Sequence, residues 1–148
     1  MPTRFQLTID CANPDRVARF WATALGYEPA PPPAGYETWT DYWRMVGVPE
    51  EELGDGGIDR LVDPKGAGPN VWFQQVPETK TIKNRWHLDI LVSDGRSAPI
   101  ERRKQQVDAE VERLTAAGAT TLRVLHEDSI DHYAVVMQDP EGNELCLV

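Results

Sequence analysis

The sequence predicts an α+β protein of one domain, in which two βαβββ modules form a curved mixed sheet around a central cavity. Three observations carry this. A segment of apolar–polar alternation leads into an amphipathic helix closed by glycine, and the pattern occurs twice. Residues 3–13 and 84–94 can be superimposed as a repeat. The turn Asp-Pro-Lys/Glu-Gly recurs before a strand, at 63–66 and at 139–142.

Module one spans about residues 3–76. It opens with Phe5-Gln6-Leu7-Thr8-Ile9-Asp10, a strand with two unlike faces. Asn13-Pro14 then reads as an N-cap followed by proline at the first helical position. Val17, Phe20, Trp21, Ala24 and Leu25 fall on one helical face, and Gly26 supplies the left-handed stop. The PPPAGY segment, 31–36, is loop. Within 38–53, Trp39, Tyr42, Trp43 and Val46 suggest a short helix. Strands follow at 58–62 and 71–76.

Residues 77–83 are polar and read as a linker. Module two, about 84–148, begins with a strand at 85–92 and a loop at 95–99. A helix over 100–117 carries Val107, Val111 and Leu114 on its buried stripe and stops at Gly118. The charged run Glu101-Arg102-Arg103-Lys104 reads as its solvated start. Strands at 120–125, 133–138 and 144–148 complete the chain.

Superimposing TRFQLTIDCAN on NRWHLDILVSD matches Arg4 with Arg85, Phe5 with Trp86, Gln6 with His87, Leu7 with Leu88 and Ile9 with Ile90. The spacing is far longer than a solenoid repeat, so it marks a duplicated module. In each module one sheet face is covered by the helix and the other is bare. Strand alternation then places Leu7, Ile9, Leu88 and Ile90 under helices. It sends Gln6, Thr8, Asp10, His87, Asp89 and Leu91 into a shared trough between the modules.

Composition narrows the partners. The 148 residues are 41% hydrophobic and 26% charged, with a formal net charge of -9. An acidic chain repels phosphate backbones, which argues against nucleic acid. No apolar run approaches a membrane span, and the N-terminus lacks the apolar centre of a signal peptide, so a cytoplasmic location is expected. The two cysteines, Cys11 and Cys146, are expected to be reduced thiols.

The paired βαβββ order, ANPDRVARFWATALGYE after the first strand and DPEGNELCLV at the end resemble the vicinal-oxygen-chelate superfamily of glyoxalases, extradiol dioxygenases and fosfomycin- and bleomycin-resistance proteins. The phrases FQQVPETKTIKNRWHLDI and DPEGNELCLV look most like the glyoxalase-like subgroup common in actinobacteria. The resemblance implies the glyoxalase/dioxygenase fold and a small-molecule ligand, and pairing of chains into a homodimer. In metal-dependent relatives four trough positions ligate the metal. Carried over by motif they are Gln6, Gln74, His87 and Cys146, with Phe73 the alternative to Gln74 because the register after the DPKG turn is open by one. Both carboxylates of the usual set are missing. Gln carbonyls are weak neutral ligands, so the expectation is no cofactor, with a divalent metal as the lesser alternative.

Two functions follow from these residues. In one, His87 and Asp89 are the centre of a lyase, isomerase or oxygenase type of enzyme. In the other, the chain sequesters a small compound without catalysis, as resistance proteins do. Gln6, Asp10 and Gln74 would then bind the ligand, with Trp39, Trp43 and Trp72 as flat apolar walls. Those tryptophans read equally well as core.

Overall fold

A computed structural model describes all residues, 1–148. Module one runs β1 (Gln6–Cys11), α1 (Pro14–Leu25), β2 (Glu28–Pro29), α2 (Trp39–Val46), a 3₁₀ turn (Glu50–Glu52), β3 (Arg60–Val62) and β4 (Asn70–Gln75). Module two runs β5 (Leu88–Ile90), α3 (Ile100–Ala116), β6 (Thr120–Glu127), a 3₁₀ turn (Asp128–Ile130), β7 (His132–Gln138) and β8 (Glu144–Leu147). The sheet orders are β1-β4-β3-β2 and β5-β8-β7-β6. They are the same order: the first strand of each module lies parallel to the last, and the other pairs are antiparallel.

The expectation of a curved mixed sheet around a central cavity is corrected here. The chain forms two open four-stranded sheets, and no strand pair joins them. Both β1 and β5 end their sheets and are hydrogen-bonded on one side only. Continuing a sheet needs a neighbouring strand hydrogen-bonded along its edge, and closing one needs tilt and stagger shared by all its strands. Here β5 is three residues and β2 is two. The strand expected over 85–92 is reduced to 88–90, so His87 stands just before it.

Local chemistry accounts for the helices. Asn13 caps α1 by accepting from the Arg16 backbone N–H, Pro14 follows at the first position, and Gly26 closes the helix at φ 67°. The buried face of α1 packs against Leu61, Val71 and Phe73, with Leu7 and Ile9 half-buried beside them. In module two, Val107 and Leu114 of α3 meet Val135, Met137, Leu145 and Leu147. These two sets form one continuous core of buried side chains across both modules.

Arg103 departs from the solvated helix start read in the sequence. Its side chain is 7% exposed. It donates to the carbonyls of Ala98 (3.0 Å) and Asp131 (3.2 Å) and pairs with the Asp131 carboxylate. Asp131 is the one non-glycine residue at positive φ, 52°. The guanidinium thus secures the turn from which β7 begins.

The two Asp-Pro-x-Gly turns use one device. Asp63 accepts from the N–H groups of Lys65, Ala67 and Gly68, and Asp139 from those of Glu141 and Asn143. The second turn also joins the modules. Trp21 Nε1 donates to Asp139 at 3.0 Å, and Glu141 accepts from Ala12 N (2.6 Å) and Asn13 N (2.8 Å). A carboxylate from module two therefore sits at the N-terminus of α1, where the helix dipole favours it. No helix is long and apolar enough to cross a membrane.

Candidate functional site

The burial of β4 settles its register. Val71 and Phe73 are buried under α1, whereas Trp72 and Gln74 are half-buried on the opposite face. Trp72 lies beside Thr8 of β1 and Arg60 of β3, and Gln74 lies beside Asp10. The open face of the first sheet therefore carries Gln6, Thr8, Asp10, Arg60, Trp72 and Gln74.

Residues between β2 and β3 depart from a plain module. They form an arm that carries α2, and none of the residues in α2 is buried. Thr38 caps α2 through the Asp41 N–H, and Gly47 ends it at φ 100°. Trp39 Nε1 donates to the Ala30 carbonyl at 2.9 Å, and Arg44 binds Glu50 at 2.6 Å. At the far end the Asp15 carboxylate accepts from Ile58 N at 2.9 Å, while Arg19 beside it holds that carboxyl below the usual range. The chain passes so close there that a Cβ on Gly57 would lie 2.9 Å from Asp15 Cβ.

This arm turns its aromatic side toward the sheet. Trp39 and Trp43 stack at 5.6 Å and 24°. The Arg60 guanidinium carbon lies 4.8 Å from the Trp39 ring, 5.3 Å from Trp43 and 5.7 Å from Trp72. Three indole faces thus surround one planar cation, an arrangement held by cation–π attraction. Arg60 Nη1 also donates to both Asp59 oxygens at 2.8 Å. Beside this cluster opens a cavity of about 660 Å³, lined by all three tryptophans and Arg60. The size suits a small organic molecule.

The other expected residues lie elsewhere. His87 and Asp10 line a second cavity of about 260 Å³ with Thr8, Trp21, Asn84 and Glu144, where the modules meet. His87 Nδ1 is 3.0 Å from Asp89 Oδ1, with the side chains 39% and 56% exposed. Asn84 Oδ1, also in this lining, is buried without a hydrogen-bond partner.

Cys146 lies beside Asp89 across β5 and β8, and it packs with Ala134 and Val136. Burial pushes its thiol upward and Asp89 adds to the shift, so it is a neutral S–H at neutral pH. Gln6, Gln74 and Cys146 line neither cavity.

Gln6 and Gln74 thus belong to one sheet and Cys146 to the other. They offer two neutral amides and a protonated thiol, with His87 before β5. That donor set does not suit a hard divalent cation. The structure gathers no three His, Cys, Asp or Glu side chains in a metal-binding group.

Arg60 and Asp59 escaped the sequence reading. The available signal was the hairpin across the DPKG turn, which sets Arg60 opposite Trp72.

Residues 6–148 match the model of the glyoxalase-like domain family. No relative with a curated description matches the chain. Among solved structures, a glyoxalase/bleomycin resistance protein/dioxygenase family enzyme from Burkholderia phytofirmans is similar, at 18% identity and a TM-score of 0.58, covering 96% of this chain and 94% of that one. A fosfomycin resistance protein variant from Listeria monocytogenes, complexed with Mn(II) and 1S,2S-dihydroxypropylphosphonic acid, has 11% identity and a TM-score of 0.60, covering 99% and 90%. The oxidase ChaP-H2 has 17% identity and a TM-score of 0.54, covering 99% and 91%. At these identities the likeness is one of fold.

Proposed function

This chain belongs to the glyoxalase-like domain family, and we propose that it is a small-molecule-binding protein whose ligand lies in the tryptophan-lined cavity of module one. The observation that carries this is the convergence of Trp39, Trp43 and Trp72 on Arg60 beside a space of about 660 Å³. Half-exposed indoles offer flat apolar surface at little entropic cost, because each side chain has few rotors. Asp59 engages only Nη1 of Arg60, so Nε and Nη2 make no hydrogen bond to the protein and can donate to a neutral acceptor atom on the ligand. Titration of tryptophan fluorescence against a compound library, repeated on Trp43→Ala, tests the proposal. Saturable quenching that the substitution abolishes is expected. A spectrum unmoved by every compound overturns it.

A second reading, catalysis of the lyase, isomerase or oxygenase kind, is favoured by one observation, the His87–Asp89 contact at 3.0 Å. A carboxylate on Nδ1 fixes the imidazole tautomer and leaves Nε2 as the ring nitrogen free to accept a proton. Turnover of a bound compound that His87→Ala abolishes, in protein free of metal by elemental analysis, would establish it. Unaltered turnover would remove His87 from the mechanism. Assembly as a cytoplasmic homodimer belongs to the same proposal, and sedimentation velocity tests the dimer.

A further inference from the structure

Beyond the three indoles, the charge on the cavity wall bears on the ligand. Asp15, Glu37, Glu52, Asp55 and Asp59 contribute five carboxylates, against the single guanidinium of Arg60. Neither lysine nor histidine lines the cavity. The carboxylates differ in their commitments. Asp15 is paired with Arg19 and Asp59 with Arg60. Glu37, Glu52 and Asp55 have no ion-pair partner within 4.0 Å, but Asp55 accepts from the Gly57 N–H at 3.2 Å, which leaves Glu37 and Glu52 without either kind of partner. The whole chain, at -9, adds to the same field.

We propose that the ligand is a flat aromatic compound carrying a basic amine, its ring against the indoles and its ammonium group at the Glu37–Glu52 rim. This rests on the binding function proposed above and deepens it. Stacking on indole is indifferent to ring identity, whereas the rim sorts ligands by charge. An anionic ring of the same shape meets Arg60 already neutralised by Asp59 and unpaired carboxylates at the mouth. An ammonium group finds those carboxylates free. Each exposed carboxylate contributes modestly, so together they favour the cation by roughly threefold to tenfold.

Three probes with one ring separate the alternatives: naphthylmethylamine, naphthylmethanol and naphthoate, titrated calorimetrically into the full chain. The amine is expected to bind roughly threefold to tenfold more tightly than the alcohol, and naphthoate most weakly. In the double variant Glu37→Gln, Glu52→Gln, both positions being exposed, the amine is expected to lose most of its advantage over the alcohol, with Asp55 as the one remaining carboxylate without an ion-pair partner. Equal affinities for all three probes, or naphthoate binding tightest, overturn the charge preference and leave the cavity assignment standing. Binding by none of them overturns the aromatic-amine proposal, and binding that survives Trp43→Ala overturns the cavity assignment with it.

Discussion

Asp139→Ala is expected to destabilise the fold by about 3 kcal/mol, far more than a turn residue usually costs. Asp139 is 3% exposed and Trp21 is 2% exposed. The carboxylate accepts from two backbone N–H groups, at 2.8 and 3.0 Å, and from the Trp21 indole at 3.0 Å. The backbone donors lie in a half-buried turn and can partly find water. The indole cannot, and a buried donor left unpaired costs about 1–3 kcal/mol. Roughly half the loss therefore belongs to the Trp21 bond. Trp21→Phe alone removes the donor and keeps most of the packing, at about 1–2 kcal/mol. In the double variant the two losses overlap, giving a coupling of about 1–2 kcal/mol. Urea unfolding followed by far-ultraviolet circular dichroism measures all four species without relying on the altered tryptophan. Strictly additive losses would refute the reasoning. Asp63→Ala serves as the internal comparison: its donors are all backbone groups of an exposed turn, so the loss is expected to be smaller.

Neither thiol should react with Ellman's reagent in the native protein at mildly alkaline pH, while both react after denaturation. Burial is the first cause for both, pushing Cys11 up to about 12 with Glu141, Asp139 and Asp10 adding to it, and Cys146 upward with Asp89 adding to it. Fast native labelling of either would contradict the packing. Glu144 is held below the ordinary carboxylate range by Lys83. Its stabilisation is complete above the unfolded value of about 4.3 and drains as pH falls through the lower folded value. Glu144→Gln should therefore lower the melting temperature by about 2–4 °C at neutral pH, the shift that about 1 kcal/mol produces in a domain this size. The difference should close in strong acid; a constant offset at every pH would exclude the ionic origin. Gly57→Ala forces a methyl against Asp15 and should cost about 1–3 kcal/mol by overpacking, with loss of ligand quenching as the arm lifts. Unchanged stability and quenching would show that the arm yields freely at this point.

Alternation in Phe5–Asp10 and the DPKG/DPEG pair made the module order legible in the sequence, because side-chain period and turn chemistry are local. The continuity of the sheets was not legible. Alternation assigns a face to Gln6 or Asp89, but it does not say where a ladder ends, and β5 stops short of His87. Leu88 and Ile90 could be placed under a helix because their neighbours in sequence determine it. Arg103 could not, since its partner Asp131 lies 28 residues away at a positive-φ turn. The tryptophans were visible as possible walls, yet the cation they enclose comes from β3, across the arm. His87 and the tryptophans were expected in one trough. The structure distributes them between two cavities, because the arm gives module one a hollow that the repeat does not encode.

The likeness between the two Asp-Pro-x-Gly turns is deceptive. Both fold the same way, but only the one containing Glu141 has been recruited as a bolt between the halves. Exchange of sequence between the duplicated copies would place the ammonium of Lys65 where the amides of Ala12 and Asn13 already point. Two segments that remain close cousins on paper have thus lost the freedom to replace one another. Each half now evolves under the constraint of what its neighbour requires.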